Sequence, residues 1–388
     1  ADEEAQAEEE EEEEEARAAA ADDDDYVRAD GGMRAAEAAE AEARVAAAQR
    51  AARAAAPGSP FLAALAACAT LACVRDAHAL PRGAARYDFP HFVIAGFQKA
   101  ATTSLYHWLA LHPQVAPSSP KEPEFFRAEC GWDAEACPRR AARLYLREVL
   151  KLPKFVAGGG AAAHFEASTH YVRNGDRLVP SLRRQMPWLR VAVSLREPIS
   201  RAASMLIHKS FRKSGAPIPG AAAAGGCASG AQLGACLLAF SQISGNPAGA
   251  SSTNYSHPLA AWTRGWPLKQ LHVIQYEELT SEEGEARELA RLKAFIGVEA
   301  ALPARALGVA NARRFRVAPA GWPMARREYE SLVALVRPDA AALVATLEDA
   351  RLIESGRAWM ARWEAVWDAN LASCDGAGPE ARCVMQLS

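Results

Sequence analysis

The chain has 388 residues, half of them hydrophobic, and carries 44 basic against 47 acidic side chains, which is enough for one large domain with appendages. The net charge of −3 conceals a split: residues 1–30 hold 16 acidic and 2 basic side chains, a net of −14, leaving 42 basic against 31 acidic on the rest. A basic body suits anionic ligands, while the lack of any zinc-finger or RNP-type pattern argues against nucleic acid as the partner.

Residues 1–32, with glutamates 8–15 and the block Asp22–Asp25, read as an acidic disordered tail that cannot bury enough surface to order itself. From Met33 the composition turns to Ala, Glu and Arg, which predicts an exposed helical stalk or signal-type region over 33–88. Pro57, Gly58 and Pro60 confine its apolar helix to 61–74, which fits a signal-type segment or a packed helix better than a membrane span. The eight cysteines form four close pairs, Cys68/Cys73, Cys130/Cys137, Cys227/Cys236 and Cys374/Cys383. Clustering favours local bridges in an oxidising lumen, although the sequence does not select among the connectivities.

The stretch Phe89–Ser104 reads FPHFVIAGFQKAATTS. Phe92–Ala95 is a short apolar strand, Gly96 breaks it, and a polar loop with Lys99, Thr102, Thr103 and Ser104 leads into a helix. Amides at the start of such a helix lack partners within it and, with the helix dipole, favour an anion. A helix stopped by Pro113 follows, and then Lys121-Glu122-Pro123-Glu124-Phe125-Phe126. Here the two phenylalanines are expected to exclude water from Glu122 and raise its pKa. Residues 139–152 have an amphipathic helical pattern, Gly158–Gly160 mark a turn, and Ala163–Glu166 reads as a strand leading into Ala167-Ser168-Thr169-His170-Tyr171.

Arg190–Leu206 reads RVAVSLREPISRAASML. Its strand, Val191–Leu195, ends at Arg196, and Pro198 stands as the first residue of a helix. Two parallel strands that both end in anion-binding groups grip one ligand at two points, so a ligand with two phosphate-type groups is expected. Residues 212–253, rich in Gly, Ala, Ser and Pro, read as a low-complexity surface insertion. Beyond it come a helix through Leu259, Trp262 and Trp266, a strand Leu271–Tyr276, a helix Glu285–Ile296, the basic knot Arg313, Arg314 and Arg316, and a helical region Tyr329–Leu347. In the C-terminal segment 353–388, Trp359, Trp363 and Trp367 recur at i, i+4 and i+8 as one helix face expected to pack on the domain. The alternation of strands and helices predicts an α/β fold, a three-layer sandwich with a central parallel sheet, over 89–352.

In the loop after the first strand, in KEPEFF, in FEASTHY and in R-x-P-x-x-R-x-x-S, the chain resembles the family of sulfotransferases that use 3′-phosphoadenosine 5′-phosphosulfate (PAPS), in its Golgi carbohydrate and heparan-sulfate-type branch. The similarity runs from Pro90 to Leu352. It implies that Gly96, Lys99, Ala100, Ala101, Thr102, Thr103 and Ser104 form a P-loop-like cradle for the 5′-phosphosulfate, and that Arg196 and Ser204 hold the 3′-phosphate. It also implies that Glu122 is the catalytic base, with Lys99 at the bridging oxygen, and that Lys121, Glu166 and His170 line the acceptor cleft, His170 being the reserve base. Arg314 is the candidate to close over the 3′-phosphate, although the knot departs from the family's K-x-x-G-R-x-x-x-P form. Ala167 stands where many heparan-type members have lysine.

PAPS as co-substrate without a metal, a carbohydrate or proteoglycan acceptor, a type II membrane anchor and the Golgi lumen follow from the same resemblance, with the cytoplasm as the alternative location. The competing reading is a P-loop nucleotide kinase or NTPase. It would need a lysine directly before a hydroxyl residue, whereas Lys99 precedes Ala100 and Ala101. Against a nucleotide-binding protein that has lost its chemistry stand Lys99 and Glu122.

Overall fold

The computed structural model describes residues 59–210, 234, 236–238, 254–299 and 322–386. The acidic tail, residues 33–58, nearly all of the 212–253 insertion, and Arg313, Arg314 and Arg316 lie outside the described residues.

Five parallel strands form the central sheet: β1 (Phe92–Gly96), β2 (Val115–Pro117), β3 (Ala163–Ala167), β4 (Arg190–Leu195) and β5 (Leu271–Gln275), in the order β2-β3-β1-β4-β5. Every residue of β1 and β3 is buried, so helices cover both faces, as in parallel sheets generally. The fold is the expected α/β arrangement. After β1 the chain turns to the β2 side, while β4 pairs on the opposite side of β1 and continues to β5. The order reverses between β1 and β4, and the crevice at their carboxyl ends is where open α/β sheets take ligands.

The apolar stretch expected as one helix over 61–74 is instead two, α1 (Pro60–Ala67) and α2 (Leu71–Ala77), each started by a side-chain cap, Ser59 on the Leu62 amide and Thr70 on the Cys73 amide. The Cys68–Cys73 disulfide spans the break. Phe61, Leu65 and Val74 belong to the same buried cluster as the sheet, and Phe61 meets Phe155 edge-on, so 59–88 belongs to the domain body rather than to a stalk. Among the described residues no helix is long and apolar enough to cross a membrane.

Three further helices frame the crevice: α3 (Thr102–Ala110) after β1, α4 (Gly175–Gln185) between β3 and β4, and α5 (Pro198–Ser210) after β4. The chain continues through α6 (Ser256–Gly265), β5 and α7 (Glu285–Ile296). Its last part comprises β6 (Trp322–Ala325), the long α8 (Arg326–Asp349), α9 (Gly356–Ala372) and β7 (Arg382–Met385), with β6 and β7 in an antiparallel pair of their own.

Candidate active site

At the end of β1, Gly96 has φ +139°, and a Cβ there would lie 2.6 Å from both the Thr169 carbonyl oxygen and Val172 Cγ1. Only glycine lets β1 pass this close to the segment after β3. Lys99 (φ 66°) and Ala101 (φ 61°) then take the left-handed conformation, which turns the loop sharply into α3. Ala101 is the N-cap of α3 and provides no side-chain hydrogen bond, so the first amides of α3 have no side-chain cap. Thr102 and Ser104 are buried beside them and Thr103 is half-buried.

The end of β4 is arranged differently. Glu197 accepts from the amides of Ile199 at 2.7 Å and Ser200 at 2.6 Å, so its carboxylate occupies the N-terminus of α5. The anion-binding capacity of that terminus is used internally, and side chains are left to meet a second ligand anion. Arg196 is the first of these: Nη1 donates to the Lys99 carbonyl at 3.1 Å, and the guanidinium lies 4.4 Å from the centroid of the Tyr276 ring. The Lys99 loop and Arg196 therefore face the same crevice, joined by this hydrogen bond. Ser204 is half-buried on α5. Arg201, of the same motif, is 2% exposed, with its guanidinium 5.0 Å from the Phe97 ring centroid and 4.6 Å from that of Tyr255. It braces the loop from beneath.

On the β3 side, Lys121 Nζ pairs with Glu122 Oε1, and the Thr169 hydroxyl donates to Glu122 Oε2 at 3.0 Å. Burial works to raise the Glu122 pKa, but the Lys121 ammonium, with help from His170 and Thr169, outweighs it and holds the carboxyl below the ordinary glutamate value. This corrects the expectation drawn from Phe125 and Phe126. Those rings turn into the core, Phe125 stacked on Tyr145 at 3.9 Å and Phe126 tilted against Tyr171 at 5.4 Å.

On the neighbouring strand burial does prevail, at Glu166, whose pKa it pushes up to about 7. It is 2% exposed and accepts from Tyr145 Oη, from Ser168 Oγ at 2.7 Å and from Tyr171 Oη at 3.3 Å. This side chain, expected along the acceptor cleft, sits within a cage of hydroxyls beneath the site.

His170 lies at the junction of the two halves. Glu124 Oε1 is 3.0 Å from His170 Nδ1 and accepts the His170 amide at 3.3 Å, while Gln98 Nε2 is 2.9 Å from His170 Nε2. Glu124 Oε1 and Gln98 Nε2 thus approach opposite ring nitrogens of His170. Glu124 is fixed in turn by its own amide, which donates to Ser168 Oγ at 3.0 Å. The structure thus gathers Gly96, Lys99, Ala100, Ala101, Thr102, Thr103, Ser104, Lys121, Glu122, His170 and Arg196 around the carboxyl ends of β1, β3 and β4. Arg314 lies outside the described residues.

The sequence reading did not single out Gln98, Glu124, Thr169, Glu197, Tyr255 or Tyr276 as parts of the site. Glu124 and Thr169 stand inside motifs already quoted, and Gln98 is next to Lys99. The contacts of Tyr255 and Tyr276 come only from tertiary structure. Among the described residues no group of three or more His, Cys, Asp or Glu is arranged to hold a metal ion.

No protein-family model matches the chain, and no curated protein matches it. Among solved structures it is similar to a sulfotransferase from Alicyclobacillus acidocaldarius at 20% identity, with a TM-score of 0.45, over 70% of this chain and 98% of that one.

Proposed function

We propose that this chain is a sulfotransferase that moves the sulfuryl group of PAPS to a hydroxyl or amine of a carbohydrate or proteoglycan acceptor. The observation that supports this most is the crevice between β1 and β4. One wall is an uncapped helix N-terminus with Lys99, suited to a 5′-phosphosulfate, and the other wall is Arg196, suited to a 3′-phosphate. On this reading the acceptor oxygen attacks sulfur in line, the bond from sulfur to the 5′-phosphate oxygen breaks, and adenosine 3′,5′-bisphosphate leaves. The acceptor proton passes to Glu122, and Lys99 and the α3 amides meet the charge growing on the leaving oxygen. The 3.0 Å approach of Glu124 Oε1 to His170 Nδ1 favours a second reading of the base alone, in which the Gln98 side chain swings off Nε2 and His170 takes that proton there.

The three described disulfides support work in an oxidising lumen such as the Golgi. Calorimetric titration of the full chain with adenosine 3′,5′-bisphosphate and with ATP tests the donor. The bisphosphate is expected to bind and ATP to bind far more weakly, and Arg196→Ala should weaken the bisphosphate by about 1.5–3 kcal/mol. Preference for ATP, or an unchanged affinity in Arg196→Ala, would overturn the assignment. Transfer of labelled sulfate from PAPS across a panel of glycans then identifies the acceptor and separates an enzyme from a nucleotide-binding protein without chemistry.

A further inference from the structure

Two of the three tryptophans of α9 do more than fill space. Trp363 and Trp367 are 0% exposed and each has its indole N–H on a carboxylate, half-buried Glu277 and buried Glu197: Trp363 Nε1 donates to Glu277 Oε2 at 2.9 Å, and Trp367 Nε1 to Glu197 Oε1 at 2.6 Å. Both carboxylates sit at strand ends, Glu197 directly after Arg196 and Glu277 just beyond β5. They are also linked, since the Glu197 amide donates to Glu277 Oε1 at 2.7 Å. The carbonyl of the same peptide unit, that of Arg196, accepts the Tyr255 hydroxyl at 2.7 Å. The peptide joining Arg196 to Glu197 is therefore fixed at both poles by side chains of other elements. Tyr255 is itself stacked on Trp363, with ring centroids 6.1 Å apart.

This matters because of where Arg196 points. Its guanidinium reaches the Lys99 carbonyl across the Tyr276 ring, and the direction in which it leaves β4 is set by the peptide that follows it. Burial pushes the Glu277 pKa up, so each donor removed from that carboxylate weakens its hold on the Glu197 amide.

We infer that Trp363 and Trp367 are positioning residues for Arg196: by holding Glu277 and Glu197 they aim its guanidinium at the 3′-phosphate and so set the preference for a 3′-phosphorylated nucleotide. The inference rests on the proposal that Arg196 meets that phosphate. It gives a C-terminal helix whose Trp367 stands 170 residues beyond Glu197 a part in ligand selection.

Calorimetry on the full chain with adenosine 3′,5′-bisphosphate and adenosine 5′-monophosphate, which differ only in the 3′-phosphate, tests it. Trp363→Phe keeps a ring and removes the donor; the preference for the bisphosphate is expected to fall about tenfold, with monophosphate affinity held within about twofold. A merely structural helix would weaken both nucleotides alike, so equal losses in a folded variant, or an unchanged preference, would overturn the inference. Trp367→Phe is measured beside it and decides the matter should Trp363→Phe not fold. In an Arg196→Ala background, Trp363→Phe should take away no further preference, and a further loss also counts against positioning. A wild-type chain that binds the two nucleotides equally overturns the underlying donor reading instead.

Discussion

Glu122 and Glu166 lie on neighbouring segments and are tuned in opposite directions, because one has a cation and the other only hydroxyls. Lys121 keeps Glu122 ionised through the neutral range, so as a base it is in the correct form but is weak, and its force must come from placement. The pH dependence of turnover then separates it from His170. With Glu122 as the base, activity persists on acidification until below pH 4.5. A histidine base, whose ordinary range lies well above that of a carboxylate, gives its acid limb at higher pH instead. Glu122→Gln should cut turnover by about 10²–10⁴-fold with donor affinity retained, and near-normal turnover in that variant, with a large loss in His170→Ala, would move the assignment to His170. Glu166 makes a prediction that needs no assumption about function. Its folded pKa, about 7, is above its ordinary value of 4.5, so the folded state holds this proton more tightly than the unfolded chain. The associated stability is fully present below pH 4.5 and is lost as pH rises through about 7. The loss is about 3 kcal/mol, and Glu166→Gln should abolish this part of the pH dependence in denaturant unfolding curves. A Glu166→Gln profile parallel to wild type would show that the group does not titrate in this window.

Two helices begin at the carboxyl ends of adjacent strands and treat their amides in opposite ways. α3 follows a left-handed Ala101 that provides no cap, whereas Glu197 occupies the first amides of α5. The asymmetry divides the labour between the walls: backbone and Lys99 on one side, the Arg196 side chain on the other. Much of this was legible in the residues. β1, β4 and β5 were readable because each is a short, mainly apolar run closed by Gly, Arg or a polar cluster, β3 because the turn glycines Gly158–Gly160 precede it, and α5 because Pro198 suits the first turn of a helix. The break between α1 and α2 was not, since helix propensity runs on through Ala66–Ala69 and only the Thr70 cap and the Cys68–Cys73 bridge interrupt it. The direction of the Glu122 shift was not legible for a related reason: burial does act to raise it, but the pairing of the carboxylate with the Lys121 ammonium, helped by His170 and Thr169 from after β3, outweighs burial, and adjacency in the sequence does not show those contacts. Nor does sequence reveal that Glu166 faces three hydroxyls, because Tyr145 and Tyr171 reach it from either side of β3.

At the scale of the molecule, residues 322–386 act as a clasp laid over the open side of the crevice's support. Asp339 of α8 takes the amide of Tyr255 at 2.8 Å and so secures the start of α6, while α9 reaches the ends of β4 and β5 through Trp367 and Trp363. The clasp is closed on itself: the β6 and β7 pair brings the Arg326 amide to the Ala381 carbonyl at 2.8 Å, Asn370 accepts the Gln386 amide at 2.7 Å, and Cys374–Cys383 joins the end of α9 to β7. Cys68–Cys73 and Cys130–Cys137 make similar short closures elsewhere, and Cys236 is also disulfide-bonded. Closing loops this short restricts the unfolded chain enough to contribute roughly 2–3 kcal/mol each. Such a contribution exists only where thiols are oxidised, so the bridges tie stability to compartment. Peptide mapping of the purified chain under non-reducing conditions should therefore recover the linked pairs 68/73, 130/137 and 374/383, and Cys374→Ser with Cys383→Ser should lower the unfolding free energy by about that amount. Free thiols at all six positions in freshly isolated protein, with no loss of stability in the double variant, would place the protein's working life in a reducing compartment and remove the support for a lumenal acceptor.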